Sequence, residues 1–151
     1  MSHIIRELQE ADLTHCLSDT LSGLAEVGLS TAELRNIMDE RRRAGTRTFV
    51  AIDPASDEVV GTASLIVERK FIHRGGRSGH IEDVSVRRGY QGQGVGSALV
   101  QHAVNEARRL GCYKVILNCH EQLVPLYARM GFRKHDLGMR IDLVAPLEMH
   151  G

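Results

Sequence analysis

One hexapeptide restricts this chain more than any other feature. Gln91-Gly92-Gln93-Gly94-Val95-Gly96 sits between a β-patterned run ending near Val86 and a helical stripe of Val95, Leu99, Ala103, Ala107 and Leu110. Alternating glycines at such a junction let several backbone N–H groups converge on one anion at the positive end of the helix, and Arg87-Arg88 just upstream add charge. A phosphate or pyrophosphate is the natural guest. The spacing is not the dinucleotide fingerprint, whose third glycine would fall at Ser97, nor a phosphate loop with Lys-Ser or Lys-Thr after its last glycine. Taken alone, the run serves equally well as a turn that lets a strand and a helix pack closely.

Periodicity supplies the elements around it. Ile4-Ile5 predicts a short strand, and Leu13, Leu17, Leu21 and Leu24 recur at helical spacing from Asp12 to Gly28. Ser30 with Glu33 forms a capping box for a second helix, which stops after Arg41-Arg42-Arg43 at Gly45. Thr46 to Asp53 and Val59 to about Ile72 read as a hairpin turning at Pro54-Ala55-Ser56-Asp57. His73 to Gly79, with Gly75 and Gly76 inside it, reads as a loop, and Ile81, Val84 and Val86 as the next strand.

After the long helix stops at Gly111, Val115-Ile116-Leu117 predicts a short strand buried on both faces. A short helix from about Pro125 to Met130 and a last strand around Met139 to Leu143 follow. This order predicts one domain over residues 1–151, in the α+β or mixed α/β class, with a mixed sheet flanked by helices.

Composition narrows the function. With 42% hydrophobic and 25% charged residues and no apolar run near the ~18 that a membrane helix needs, disorder and membrane spanning are excluded. Nineteen Lys and Arg against nineteen Asp and Glu give no basic field for coating nucleic acid. The start of the chain offers no apolar core for a signal peptide, so an intracellular, cytoplasmic protein is expected, with an organelle left open. Cys16, Cys112 and Cys119 are odd in number and lack CxxC spacing, which reads as three buried reduced thiols. His120-Glu121 is followed by Val124 where a zinc motif needs a second His, so no metal is assigned.

Although the chain is neutral, residues 69–80 carry Arg69, Lys70, Arg74 and Arg77 with His73 and His80 and no acidic residue. Glu82 and Asp83 follow at once. One small region thus offers cations for an anion and carboxylates for an ammonium or for hydroxyls, the charge pattern of an amino sugar phosphate.

Gln91-x-x-Gly94-x-Gly96 resembles the Q/R-x-x-G-x-G/A pyrophosphate loop of the GNAT acetyltransferases. Gly79-His80-Ile81-Glu82-Asp83-Val84, Tyr90 to Gly94, and Gly111-Cys112-Tyr113-Lys114-Val115-Ile116-Leu117 are similar to the glucosamine 6-phosphate N-acetyltransferases within that family, over about Glu68 to Phe132. The resemblance implies a GNAT fold with a central, mostly antiparallel sheet, acetyl-CoA as cosubstrate, direct acetyl transfer without a nucleophilic cysteine, and a homodimer.

It also implies site residues. Val84, Ser85, Val86, Gln91, Gly92, Gln93, Gly94, Val95, Gly96, Ser97, Asn118 and Tyr127 would meet acetyl-CoA. Lys70, Phe71, Ile72, His73, Glu82, Asp83, Val84, Tyr113 and Lys114 would meet the sugar phosphate. Tyr127, Glu82, Asp83 and Asn118 would serve the chemistry. The chain departs from the family at Asn118, commonly Asp, at Ala25, commonly Thr, and at Asp142, where the family has a substrate-binding Arg and this chain has Arg140 close by. A GNAT enzyme for another amine, such as a polyamine, an aminoglycoside or a protein N-terminus, is the first alternative. A CoA-binding regulatory module without turnover is the second.

Overall fold

The hairpin announced by the sequence is the centre of the computed structural model, which describes residues 3–144. β2 (Thr46–Asp53) and β3 (Glu58–Arg69) pair antiparallel, and the Asp53 carboxylate accepts the Ala55 amide at 2.9 Å to close the turn between them. β1 (Ile4–Glu7) adds to β2, and β4 (Arg77–Val86) to β3, both antiparallel. β5 (Cys112–Leu117) lies parallel to β4, so the order is β1-β2-β3-β4-β5. A parallel neighbour needs a crossover, and α4 (Val95–Arg109) supplies it.

α4 buries Val95, Leu99, Val100, Ala103 and Ala107 on one face of the sheet, against Phe49, Ala51, Val60, Ala63, Leu65 and Ile81. Gly61 permits this contact: a Cβ there would come within 2.8 Å of Val95 Cγ1 and 2.9 Å of Leu99 Cδ1. The other face is covered by α1 (Leu17–Leu21) and α2 (Thr31–Arg43), through Leu17 and Met38 packed with Leu8, Leu13, Val50, Ile52 and Val59. The capping box forms as its spacing predicts: the Glu33 amide donates to Ser30 Oγ at 3.2 Å and the Ser30 amide to Glu33 Oε1 at 3.1 Å. Such a cap contributes about 1 kcal/mol. No helix among the described residues is long and apolar enough to cross a membrane.

Several expectations are corrected. The helix read from Asp12 to Gly28 is broken into a 3-10 turn, Glu10–Thr14, and α1, with Cys16 left-handed at φ +70° between them. The Asp12 side chain accepts the Gln9 amide and so closes a turn instead of extending a helix. β4 starts at Arg77, inside the stretch read as a loop, and a single turn α3 (Ile72–Gly75) precedes it. Val115, Ile116 and Leu117 are only half-buried, because β5 is the edge strand. Met139–Leu143 forms no strand: its alternation is real, but among the described residues nothing pairs with it. Cys16 and Cys112 are half-buried and Cys119 is exposed, so the three are not uniformly core residues.

Candidate active site

The site begins where two parallel strands part. The β4–β5 ladder runs from Arg77↔Cys112 to Ile81↔Leu117 and stops, while β4 continues to Val86 with no strand on that side among the described residues. On its other side β4 carries an extra residue: Ser64 faces Glu82 and Thr62 faces Ser85, so two steps along β3 match three along β4. Asp83 takes the left-handed conformation at φ +52° to make this bulge. Past the bulge, Val84 and Val86 pack on the α4 core and Ser85 Oγ donates to the Thr20 carbonyl of α1 at 2.7 Å. The strand is thereby fixed on both faces while its open edge keeps unpaired peptide groups.

The glycine run follows at the same end. Gly92 and Gly94 have φ of +78° and +80°, a region that other residues enter only at a cost. Gly94 is the N-cap of α4, no side chain caps the helix, and its first turn holds no Asp or Glu. The amides of Val95, Gly96 and Ser97 therefore remain available at the positive end of a 15-residue helix, a place suited to a phosphate. Gln91 Nε2 donates to the Val86 carbonyl at 3.2 Å and Gln93 Nε2 to that of Gly89 at 3.5 Å, so both side chains shape the loop itself.

Across the opening, Asn118 and Cys119 follow β5 and are exposed. Tyr127, on α5 (Val124–Arg129), is half-buried with its ring edge-on to Phe132 at 5.8 Å. Burial, with the nearby Cys119 adding to it, raises the Tyr127 phenol above its ordinary value. It is a proton-bearing donor at neutral pH. Glu82 lies beside His80 on one face of β4, with Oε1 3.2 Å from Nε2, yet the angle leaves that buried nitrogen without a hydrogen bond.

The remaining candidates gather elsewhere. His73 stacks on Tyr113 with ring centroids 4.0 Å apart, and Lys114 Nζ lies 5.7 Å from the same ring. Phe71 and Ile72 are exposed at the β3–β4 connection. Lys70 is already paired with Glu68 at 2.9 Å, one residue outside the acid-free stretch, and the Glu68 hydrogen bond raises its pKa. This cluster sits at the start of β4 and β5, opposite the bulge. At ~3.3 Å per residue, Arg77 to Val84 is roughly 20 Å. Glu82, Asp83, the glycine run, Asn118 and Tyr127 share one end of the sheet, and Lys70 to His73, Tyr113 and Lys114 share the other.

This open bulge beside an uncapped helix can hold a phosphorylated thioester and a reacting amine together, and comparison with known proteins places the arrangement. The Acetyltransferase (GNAT) family matches residues 5–132. The chain belongs to the GNAT acetyltransferase family. A glucosamine 6-phosphate N-acetyltransferase of Trypanosoma brucei brucei is 47% identical over 92% of this GNAT acetyltransferase and 95% of its own length. Among solved structures, a Trypanosoma brucei acetyltransferase is 43% identical with a TM-score of 0.89, covering 94% of this chain and 100% of that one. Glucosamine-6-phosphate N-acetyltransferase from Arabidopsis thaliana superimposes with a TM-score of 0.90 at 26% identity, over 95% and 100% of the two chains.

Sequence reasoning missed the supports of this acetyltransferase's loop. Tyr90 donates its hydroxyl to Asp53 Oδ2 at 2.8 Å, and Arg87 pairs with Glu58 at 2.7 Å. Asp53 could be read as a turn residue, but nothing local in the sequence joins it to a residue 37 positions away.

Proposed function

We propose that this GNAT acetyltransferase transfers the acetyl group of acetyl-CoA to the amine of D-glucosamine 6-phosphate. The products are N-acetylglucosamine 6-phosphate and CoA, on the route to UDP-N-acetylglucosamine. The observation that carries the reading is the likeness to a relative of that name over nearly the whole of both chains. The bulge and the open helix end support it independently.

In this reading the amides of Val95, Gly96 and Ser97 bind the pyrophosphate, and the freed edge of β4 lines the pantetheine arm. The Val84 amide polarises the thioester carbonyl. Glu82 takes the proton that leaves the sugar ammonium, and the Asn118 carbonyl orients the amine. The amine's lone pair forms the C–N bond as the C–S bond breaks, and the electron pair leaves with sulfur. The second proton shed by the nitrogen as it becomes an amide ends on the departing thiolate, giving CoA as its thiol. Tyr127 donates a hydrogen bond to that thiolate. Its raised pKa lies further above the ~8.5 of a thiol than an ordinary phenol's does, so complete proton transfer is uphill and hydrogen bonding is the effective contribution.

The acceptor is too short for one chain to serve both its amine and its phosphate. The gap of roughly 20 Å between bulge and basic cluster exceeds a single sugar phosphate. We therefore infer a homodimer in which Tyr113, Lys114 and the Lys70–His73 stretch of one copy complete the pocket of the other. Leu137, Met139, Ile141 and Leu143 alternate with Gly138, Arg140 and Asp142 and are 93, 97, 82 and 88% exposed, the pattern of a strand whose partner lies on a second copy. An intracellular, cytoplasmic setting fits three cysteines that form no disulfide.

Thiol release from acetyl-CoA, followed with glucosamine 6-phosphate beside plain glucosamine, tests the reaction. Strong preference for the phosphate is expected, and equal kcat/KM for the two sugars refutes the assignment. Sedimentation at micromolar concentration is expected to give a dimer; a fully active 16.7 kDa monomer removes the shared pocket.

A further inference from the structure

The structure assigns Tyr90 and Asp53 a positioning role: the β2–β3 turn holds the glycine loop in the shape that receives acetyl-CoA, a role resting on the cofactor reading above. A Cβ added at Gly89, Gly92 or Gly94 would meet no atom within 4 Å, so the loop stands clear of the body of the protein. Left-handed glycines are also the residues that lose most freedom when ordered. Something other than packing must fix them.

Two tethers do so, and both end on the same turn. At the loop's start, the Arg87 amide donates to the Val60 carbonyl at 2.7 Å and its guanidinium to Glu58 Oε2 at 2.7 Å. Three residues on, the Tyr90 amide closes a turn onto the Arg87 carbonyl at 3.0 Å, and its hydroxyl reaches Asp53 Oδ2 at 2.8 Å. From Gln91 to Gly94, among the described residues, the side-chain hydrogen bonds are those of the two glutamines to Val86 and Gly89. Tyr90 is therefore the last fixed point before the helix.

The acceptor end of this tether is itself aimed. Asp53 divides its carboxylate, accepting the Ala55 amide at Oδ1 at 2.9 Å and the Tyr90 hydroxyl at Oδ2. The Ala55 amide and then the Tyr90 hydroxyl hold Asp53 below the usual carboxylate range, so it is an ionised acceptor at neutral pH. The Asp53 bond in turn raises the Tyr90 phenol, which keeps its proton to donate. The ring of His3 closes over Tyr90 edge-on, with centroids 6.1 Å apart.

Calorimetric titration of acetyl-CoA into wild type, Tyr90→Phe, Asp53→Ala and the double variant tests the tether, with steady-state KM for both substrates measured on the same preparations. Each single change is expected to weaken acetyl-CoA roughly fivefold, and the double change no further than the weaker single. The KM for the amino sugar phosphate should stay within twofold, a split that general destabilisation would not produce. Tight wild-type binding left within twofold by Tyr90→Phe overturns the tether alone, as do additive effects or a parallel rise in both KM values. A wild type that does not bind acetyl-CoA overturns the cofactor reading, and the tether with it.

Discussion

Arg6 and Asp12 clasp each other through two hydrogen bonds, Nη1 to Oδ2 at 2.7 Å and Nη2 to Oδ1 at 2.8 Å, while Asp12 keeps only 4% of its surface exposed. Burial alone would raise the carboxyl's pKa, but Arg6 and the Gln9 amide outweigh it and hold Asp12 below the usual carboxylate range. A lowered folded pKa stabilises above the unfolded value of ~3.9, and that contribution is lost as pH falls through the folded value. Asp12→Asn should therefore cost about 2 kcal/mol at neutral pH, below the 3–5 kcal/mol of a fully buried pair because Arg6 keeps access to water. Urea unfolding at neutral pH and near pH 2.5 checks this: the difference between the two proteins should shrink in acid, and a constant difference would assign the loss to packing.

Gly94 and Gly96 should respond differently to substitution. Gly94 sits at φ +80°, so Gly94→Val forces a branched residue into a left-handed turn and should weaken acetyl-CoA binding at least tenfold. A Cβ at Gly96 would lie 3.5 Å from Val86 Cγ2, an ordinary contact, and Gly96→Ala should change affinity less than threefold. Calorimetry with circular dichroism as the fold control distinguishes the two. Unchanged affinity in a folded Gly94→Val would move the cofactor away from this loop.

In the proposed reaction Lys114 is expected to sense the phosphate. A desolvated charge-assisted contact is worth about 1.5 to 3 kcal/mol, roughly tenfold to over a hundredfold. Lys114→Met should reduce the preference for glucosamine 6-phosphate over glucosamine by a factor in that range, with the acetyl-CoA KM unchanged. A preserved ratio would show that the phosphate is read by other cations.

Tyr127→Phe removes the hydroxyl without removing the ring that meets Phe132. Turnover should fall about tenfold to a hundredfold and acetyl-CoA affinity should stay within twofold, provided chemistry limits the rate. A kcat within twofold of wild type, measured where added viscogen has no effect, would free Tyr127 of the role.

What could be read in advance was mostly local. The capping box at Ser30 and Glu33, the hairpin around Asp53 and the stripe on α4 each lie within a short stretch of sequence, and each forms as its spacing predicts. The misreadings came from long-range causes. Asp12 is drawn into a turn bound to Arg6 of β1, and Met139–Leu143 has the alternation of a strand without a partner among the described residues. In the site, Glu82 and the glycine run were legible as motifs. The bulge at Asp83 was not, because it exists only as a mismatch between β3 and β4. The Tyr90 tether was hidden for the same reason.

The edge of β4 beyond Ile81 has a practical consequence. Its available groups are peptide N–H and C=O, which every amino acid except proline supplies in full. A scan replacing Val84, Ser85 and Val86 one by one with alanine would leave that surface intact and report only the packing of the two valines and the Ser85 bond to Thr20. Editing the main chain itself, by an amide-to-ester exchange at Val84 or a proline at Val86, is the way to make its contribution visible.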